Sequence, residues 1–330
     1  MREINTVAII GMGALGMLFG ERLQDSPGET RLCFLMDEAR KKRHLKNGCV
    51  INGREVKFPV ATTEELSFTP DLIMIATKED GLRDACAIAE RVAGEETLVL
   101  SLLNGITSEA FLRETLGEDA VIDCVAIGMD AVRDGNTLNY SNMGRLQIGT
   151  AKESGREALK AVAAFFEKTQ IPYEISENIA KTMWNKFMLN VGANQTCMVH
   201  NTTYGGATKE GSDAFNDMVA AMREVIAVAQ AEGVDLTEDD LQAVLKILRG
   251  LNPDGLPSMQ QDALAGRKSE VNLFAGTLLE IASRHGIAAP VNERYMARIR
   301  EMEKDLAPTE PFVVYSAKTS SPQAFSSSTV

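Results

Sequence analysis

Residues 6–23 of this 330-residue chain are TVAIIGMGALGMLFGERL. A β-branched apolar run ends on a glycine, and a helical pattern opens a few residues later. Gly11, Gly13 and Gly16 fall as G-x-G-x-x-G on that strand-to-helix turn. Each glycine has a separate physical task there: Gly11 permits the tight turn, Gly13 lets backbone approach a pyrophosphate, and Gly16 lets helix and strand pack closely. The phosphates then face free N–H groups at the positive end of the helix dipole. The motif predicts that Gly11, Met12, Gly13, Ala14, Leu15 and Gly16 line a dinucleotide site. It also demands an α/β domain to hold them.

The following residues supply that domain. RLCFLM (31–36), DLIMIAT (71–77), TLVLSLL (97–103) and VIDCVAIG (121–128) are unbroken apolar runs, the pattern of strands buried on both faces of a parallel sheet. Segments 15–25, 37–47 and 80–93 between them have helical spacing or composition. Strand-helix alternation predicts a doubly wound, Rossmann-like α/β domain over residues 1–177. Two hairpins are expected beside it, one over 49–60 around Asn52-Gly53 and one over 137–150.

After Ile179 the texture changes. Stretches 179–200, 212–232, 238–249 and 267–285 are rich in helix formers, with Gly233, Gly250 and Gly286 at stop positions and Pro253, Pro257 and Pro290 in the connections. An all-α domain is predicted for 178–306, followed by an irregular Ser/Thr/Pro-rich tail at 307–330.

Net charge is −12 with a pI near 4.9, which disfavours nucleic acid as a partner. No apolar run approaches the ~20 residues of a membrane span, and the N-terminus leads straight into the first strand with no signal-peptide pattern. The five cysteines are scattered and lack a CxxC pair, so reduced thiols in a cytoplasmic protein are expected. His44, His200 and His285 have no second ligand at metal-site spacing, and no metal is expected.

Three strand ends carry polar residues where ligands of open parallel sheets bind. Asp37 lies 21 positions after Gly16, where a carboxylate would accept from a ribose 2′-OH and repel a 2′-phosphate. Arg40, Lys41, Lys42 and Arg43 follow and would attract that phosphate, or form a solvated helix face. Lys78 and Asn104 close the next two strands. In the second domain, WNKFMLNVGANQ (184–195) sets Lys186, Asn190 and Asn194 four residues apart, one polar stripe on an apolar helix. Such a stripe either satisfies itself or faces a polar substrate, where a lysine can protonate a carbonyl oxygen and amides can orient it.

These blocks together resemble the ketopantoate reductase family. GMGALG, TK (77–78), LLNG (102–105), WNKFMLNVGAN (184–194) and SMQQDALAGRKSEVNLFAG (258–276) carry the resemblance, which extends to about residue 305. It implies a Rossmann domain and a helical domain with the active site between them. It implies NADPH-dependent reduction of 2-dehydropantoate to pantoate and a small 2-oxo acid as partner; a homodimer is left open as the assembly. By carry-over, Lys186 is the general acid and Glu270 contacts it or the substrate. Asn190, Asn194 and Ser258 bind substrate, and Asn104 and Lys78 line the cleft near the nicotinamide. Without the resemblance, Ser258 and Glu270 would pass for a helix cap and a surface charge.

Asp37 departs from the family pattern, which has arginine there in many members, so NAD(H) stands against NADP(H). The rival readings are a reductase or dehydrogenase of another branched 2-oxo or 2-hydroxy acid, a β-hydroxyacid dehydrogenase, and a cofactor-binding sensor without chemistry. The first keeps the same scaffold, the second leaves 258–276 unexplained, and the third has no need of Lys186, Asn190 and Glu270 together.

Overall fold

The structure is a computed structural model that describes residues 3–304 and 306. The predicted tail at 307–330 lies outside the described residues.

Among the described residues twelve strands form: β1 Thr6–Ile10, β2 Arg31–Leu35, β3 Cys49–Ile51, β4 Arg54–Val56, β5 Val60–Ala61, β6 Leu72–Ile75, β7 Leu98–Ser101, β8 Val121–Ile127, β9 Val132–Asp134, β10 Thr137–Asn139, β11 Arg145–Gly149 and β12 Tyr173–Ile175. The main sheet has eight strands in the order β12-β11-β8-β7-β6-β1-β2-β5. It is parallel except where β8 meets β11. Strands β6 and β7 are buried throughout and β1 nearly so. Each fully buried Ile or Leu contributes about 1.5–3 kcal/mol over exposure, which explains why these apolar runs occupy the sheet centre. Chain order reverses at β1: β2 lies on one side and β6 on the other, so a crevice opens at their carboxyl ends.

The α/β part contains α1 Ala14–Asp25, α2 Glu38–Asn47, α3 Leu82–Val92, α4 Ser108–Leu116 and α5 Arg156–Thr169. They cover the sheet on both faces, and two separate apolar clusters form there, one around Phe34, Phe166 and Leu100 and one around Ile10, Ile75 and Val99. The expected α/β fold with a helical second domain is what the chain adopts.

The hairpin expected at 49–60 exists as β3 and β4, paired antiparallel around Asn52 (φ 47°) and Gly53 (φ 79°), both left-handed as a two-residue turn requires. Its end at 60–61 leaves it and joins β2 as β5. The hairpin expected at 137–150 is not formed. β10 turns back on β9 in a separate four-stranded sheet, order β4-β3-β10-β9, whereas β11 pairs with β8 and β12. Both halves had strand character, but Gly144 (φ 64°) packs against the backbone of Ile127 and Gly128 and directs β11 into the main sheet.

The helical part contains α6 Ile179–Leu189, α7 Gln195–Val199, α8 Tyr204–Ala207, α9 Asp213–Ala231, α10 Glu238–Gly250, α11 Ser258–Leu264, α12 Thr277–His285 and α13 Pro290–Met302. Two π-helical turns interrupt it, at Asn190–Asn194 and Asn272–Gly276. The helix expected from 267 begins only at 271, because 267–270 link α11 to the second π-turn in an irregular path. The central cluster packs Phe187, Met188, Val191, Met222 and Phe274. α6 also lies on the main sheet, where Ile179 and Met183 pack on Val125 of β8. That contact places the polar stripe of α6 over the sheet's carboxyl edge.

Candidate active site

The phosphate cradle forms at the predicted turn. A Cβ on Gly11 (φ 103°) would lie 2.6 Å from the Ala76 carbonyl carbon and oxygen, and one on Gly16 would lie 2.1 Å from the Gly11 oxygen. Both contacts are closer than any side chain tolerates, so glycine is needed at each. Gly13 caps α1 with no side-chain hydrogen bond, leaving the first-turn N–H groups of residues Ala14 onward open to a ligand. At the adjacent end of β6, Thr77 Oγ1 is buried without a hydrogen-bond partner. Open N–H groups, a cradle that excludes Cβ atoms and an orphaned hydroxyl fit a dinucleotide.

Asp37 sits at the carboxyl end of β2 but also caps α2. Its Oδ1 accepts from the Arg40 N–H at 2.7 Å, and its Oδ2 lies 3.5 Å from Arg40 Nε. Two more residues of the basic run lie against acids: Lys41 bonds Glu65, and Lys42 lies 3.4 Å from Glu38.

Lys186, in the last turn of α6, donates from Nζ to Asn104 Oδ1 at 3.0 Å. Asn104 Nδ2 donates to Glu270 Oε2 at 3.1 Å. One amide therefore bridges the ammonium and the carboxylate, and Glu270 touches Asn104 rather than Lys186. Asn104 can reach so far because Gly105 takes φ 93° and leaves no Cβ; one there would meet Leu273 of the second π-turn at 2.7 Å. Burial pulls Lys186 down to about 8, opposed by the charge of Glu270 among others. Burial pushes the Glu270 carboxyl up, and its hydrogen bond from Asn104 and the charge of Lys78 pull it back.

Asn190 and Asn194 bracket the first π-turn and are 7% and 4% exposed. A π-turn holds more residues than an α-turn. The step from Asn190 to Asn194 therefore falls short of a full turn, undoing the drift between Lys186 and Asn190, and all three keep one line. Asn194 Nδ2 lies 3.4 Å from Ser258 Oγ, a long bond. Ser258 is exposed and is the first residue of α11, with Pro257 in the cap position, so it is not the cap.

Lys78 donates to Asp262 Oδ2 at 3.0 Å, and Asp262 Oδ1 accepts from Arg267 Nε at 2.8 Å. Asp262, 8% exposed, was not singled out from the sequence. The signal was present: Asp262 is four residues after Ser258, on the same face of one helix. Together the structure gathers Lys186, Asn104, Glu270, Asn190, Asn194, Ser258 and Lys78 at the seam between sheet and helices, with Gly11 at the adjoining strand end. Among the described residues no group of three or more His, Cys, Asp or Glu is placed to hold a metal ion, and no helix is long and apolar enough to cross a membrane.

Comparison with known proteins accords with this geometry. The family model described as "Ketopantoate reductase PanE/ApbA" matches residues 7–153, and "Ketopantoate reductase PanE/ApbA C terminal" matches residues 178–303. A 2-dehydropantoate 2-reductase of Streptococcus pyogenes serotype M3 is 26% identical over 292 residues, covering 86% of this chain and 93% of the relative. The fold is shared with a ternary structure of D-mandelate dehydrogenase with NADH and anilino(oxo)acetate (TM-score 0.81, 22% identity, 91% of this chain and 99% of that one). It is also shared with a dimeric ketopantoate reductase from Staphylococcus aureus (TM-score 0.75, 21% identity, 92% and 100%). The chain is an oxidoreductase and belongs to the ketopantoate reductase family.

Proposed function

We propose that the protein reduces 2-dehydropantoate to pantoate. The observation that carries this reading is the Lys186–Asn104–Glu270 chain across the seam. The residues of the glycine turn, Gly11 to Gly16, hold a nicotinamide dinucleotide, which supplies the hydride when bound. Lys186 gives an Nζ proton to the oxygen of the substrate carbonyl and is left as the neutral amine. Its lowered proton affinity, near 8, makes that transfer less uphill and suits a general acid at neutral pH. Asn104 holds Nζ in place and passes its orientation to Glu270. Asn190 and Asn194, on the Lys186 stripe, are the amides we assign to substrate binding, and Ser258 with the first N–H groups of α11 receives the carboxylate.

We assign residues 1–177 to the cofactor and 178–306 to the substrate, supported by the gap between β12, ending at Ile175, and α6, starting at Ile179. For the cofactor, the pairing of Arg40, Lys41 and Lys42 with acids supports NADH ahead of the NADPH implied by the resemblance. Five buried, unpaired cysteines support a reducing, cytoplasmic setting. A homodimer is the assembly we assign, and light scattering checks it.

The test is a panel of 2-oxo acids, with 2-dehydropantoate among branched and aromatic members, followed by loss of reduced-nicotinamide absorbance. The highest kcat/KM is expected for 2-dehydropantoate. A clear preference for another member moves the assignment to that acid, and no turnover with any of them overturns it.

A further inference from the structure

Glu109 is a carboxylate that no step above uses, yet it is 3% exposed. It stands where the loop bearing Asn104 ends. That loop, residues 102–107, runs from Ser101 at the end of β7 to Ser108 at the start of α4. Ser101 Oγ donates to Ser108 Oγ at 2.8 Å, and Ser108 Oγ donates to Glu109 Oε2 at 2.9 Å. The N–H of Leu103, next to Asn104, donates to Ser101 Oγ at 3.3 Å. Ser101 and Ser108 are 0% and 3% exposed.

In its ionised form, the one that prevails above about 7, the Glu109 carboxylate can only accept, so it sets the direction of the whole chain. Ser108 spends its proton on Glu109, Ser101 spends its own on Ser108, and the Ser101 lone pair is left for Leu103. The two ends of the loop are thereby tied together beneath Asn104. The charged groups around Glu109 are Arg113 on its own helix, Asp123 of β8 and Lys186 of α6, with the Cys124 thiol of β8 beside them. Burial pushes Glu109 up to about 7, against the pull of the Ser108 hydrogen bond; Asp123 adds to the rise and Arg113 opposes it. Its charge in turn works against the desolvation of Lys186.

We propose that Glu109 is a positioning residue for the reduction: it orders the Ser108–Ser101 chain that holds the Asn104 turn, and its negative charge keeps Lys186 in the proton-donating form. This rests on Lys186 being the proton donor. The experiment therefore includes a readout that needs no substrate. Methylation of Lys186 by formaldehyde and a borane reductant is followed against pH by mass spectrometry of its peptide, in wild type, Glu109→Gln and Ser101→Ala. Glu109→Gln is expected to lower the Lys186 midpoint by about half a unit or more, since it removes a nearby negative charge. It should also lower kcat on the order of tenfold to a hundredfold through misplacement of Asn104, with KM little changed. Ser101→Ala cuts the chain but keeps the charge, so kcat falls while the midpoint stays. An unmoved midpoint and wild-type kcat in a folded Glu109→Gln overturn the proposal. If Glu109→Gln does not fold, Ser101→Ala decides: reduced kcat at an unmoved midpoint supports it, and wild-type kcat overturns it. Absence of turnover with every 2-oxo acid would instead strike the proposed reaction, leaving the midpoint shift as a separate result.

Discussion

Asn104 and Lys186 meet across the seam between sheet and helices, amide oxygen to Nζ at 3.0 Å. The same amide donates to Glu270 at 3.1 Å, so a single side chain contacts both the ammonium and the carboxylate. Asn104→Ala should lower kcat by about 10–100-fold, as loss of a positioning contact does, with dinucleotide affinity retained. Asn104→Asp should instead raise the proton affinity of Lys186, because a carboxylate then faces the ammonium. Steady-state kinetics with a pH series separates the two effects.

The pH dependence follows from Lys186. Its folded proton affinity, about 8, lies below the ordinary 10.5 because burial disfavours the ammonium. The proposed reduction needs the ammonium, so kcat should hold below about 8 and fall above it. Oxidation of the hydroxy acid needs the free amine and should rise through the same range. For stability, a depressed lysine means the buried charge costs the fold at low pH, and that cost fades between about 8 and 10.5. Lys186→Met should therefore raise Tm at neutral pH, with the gain shrinking as pH approaches 10.5. A gain that does not change with pH contradicts this.

Much of this site was legible because its chemistry is local. The glycine turn, the ends of β2, β6 and β7, and the Lys186 stripe each declare themselves within about a dozen residues. What was not legible depends on distant pairing. Gly144 packs on the backbone of Ile127 and Gly128, and so the predicted hairpin at 137–150 divides between two sheets. The two π-turns, one with Gly192 against Met222 and the other with Leu273 against Gly105, leave no mark in the sequence periodicity. Asp37 has a capping role that its place at the strand end did not reveal, Asp262 draws its meaning from Lys78 across the seam, and Glu109 from the Ser108–Ser101 chain folded back on it.

Asp262 ties α11 to the sheet through Lys78 at 3.0 Å. Asp262→Ala should raise KM more than it lowers kcat, because α11 carries Ser258. In a double-mutant cycle with Lys78→Ala, the coupling should be about 0.5–1 kcal/mol, small because Lys78 is half exposed. Independent, additive effects would show that the pair does not hold α11.

The proposed cofactor preference turns on Asp37. A carboxylate beside a 2′-phosphate costs about 1 kcal/mol in water at 4 Å and about 4 at an effective dielectric near 20. Asp37→Ala should thus move the kcat/KM ratio toward NADPH by about tenfold. The same variant loses the cap of α2, so Tm should fall in step with a loss of about 1 kcal/mol. Loss of Tm without a change in cofactor ratio would make Asp37 a cap alone.

The central claim is that Lys186 supplies the proton as a 2-oxo acid is reduced. The most direct measurement is single-turnover reduction of 2-dehydropantoate by wild type and Lys186→Ala, each first shown by fluorescence to bind the reduced dinucleotide. The expected result is equal dinucleotide binding and a rate lower by about 10²–10⁴ in the variant. A variant that binds the dinucleotide and reduces substrate at the wild-type rate would contradict it.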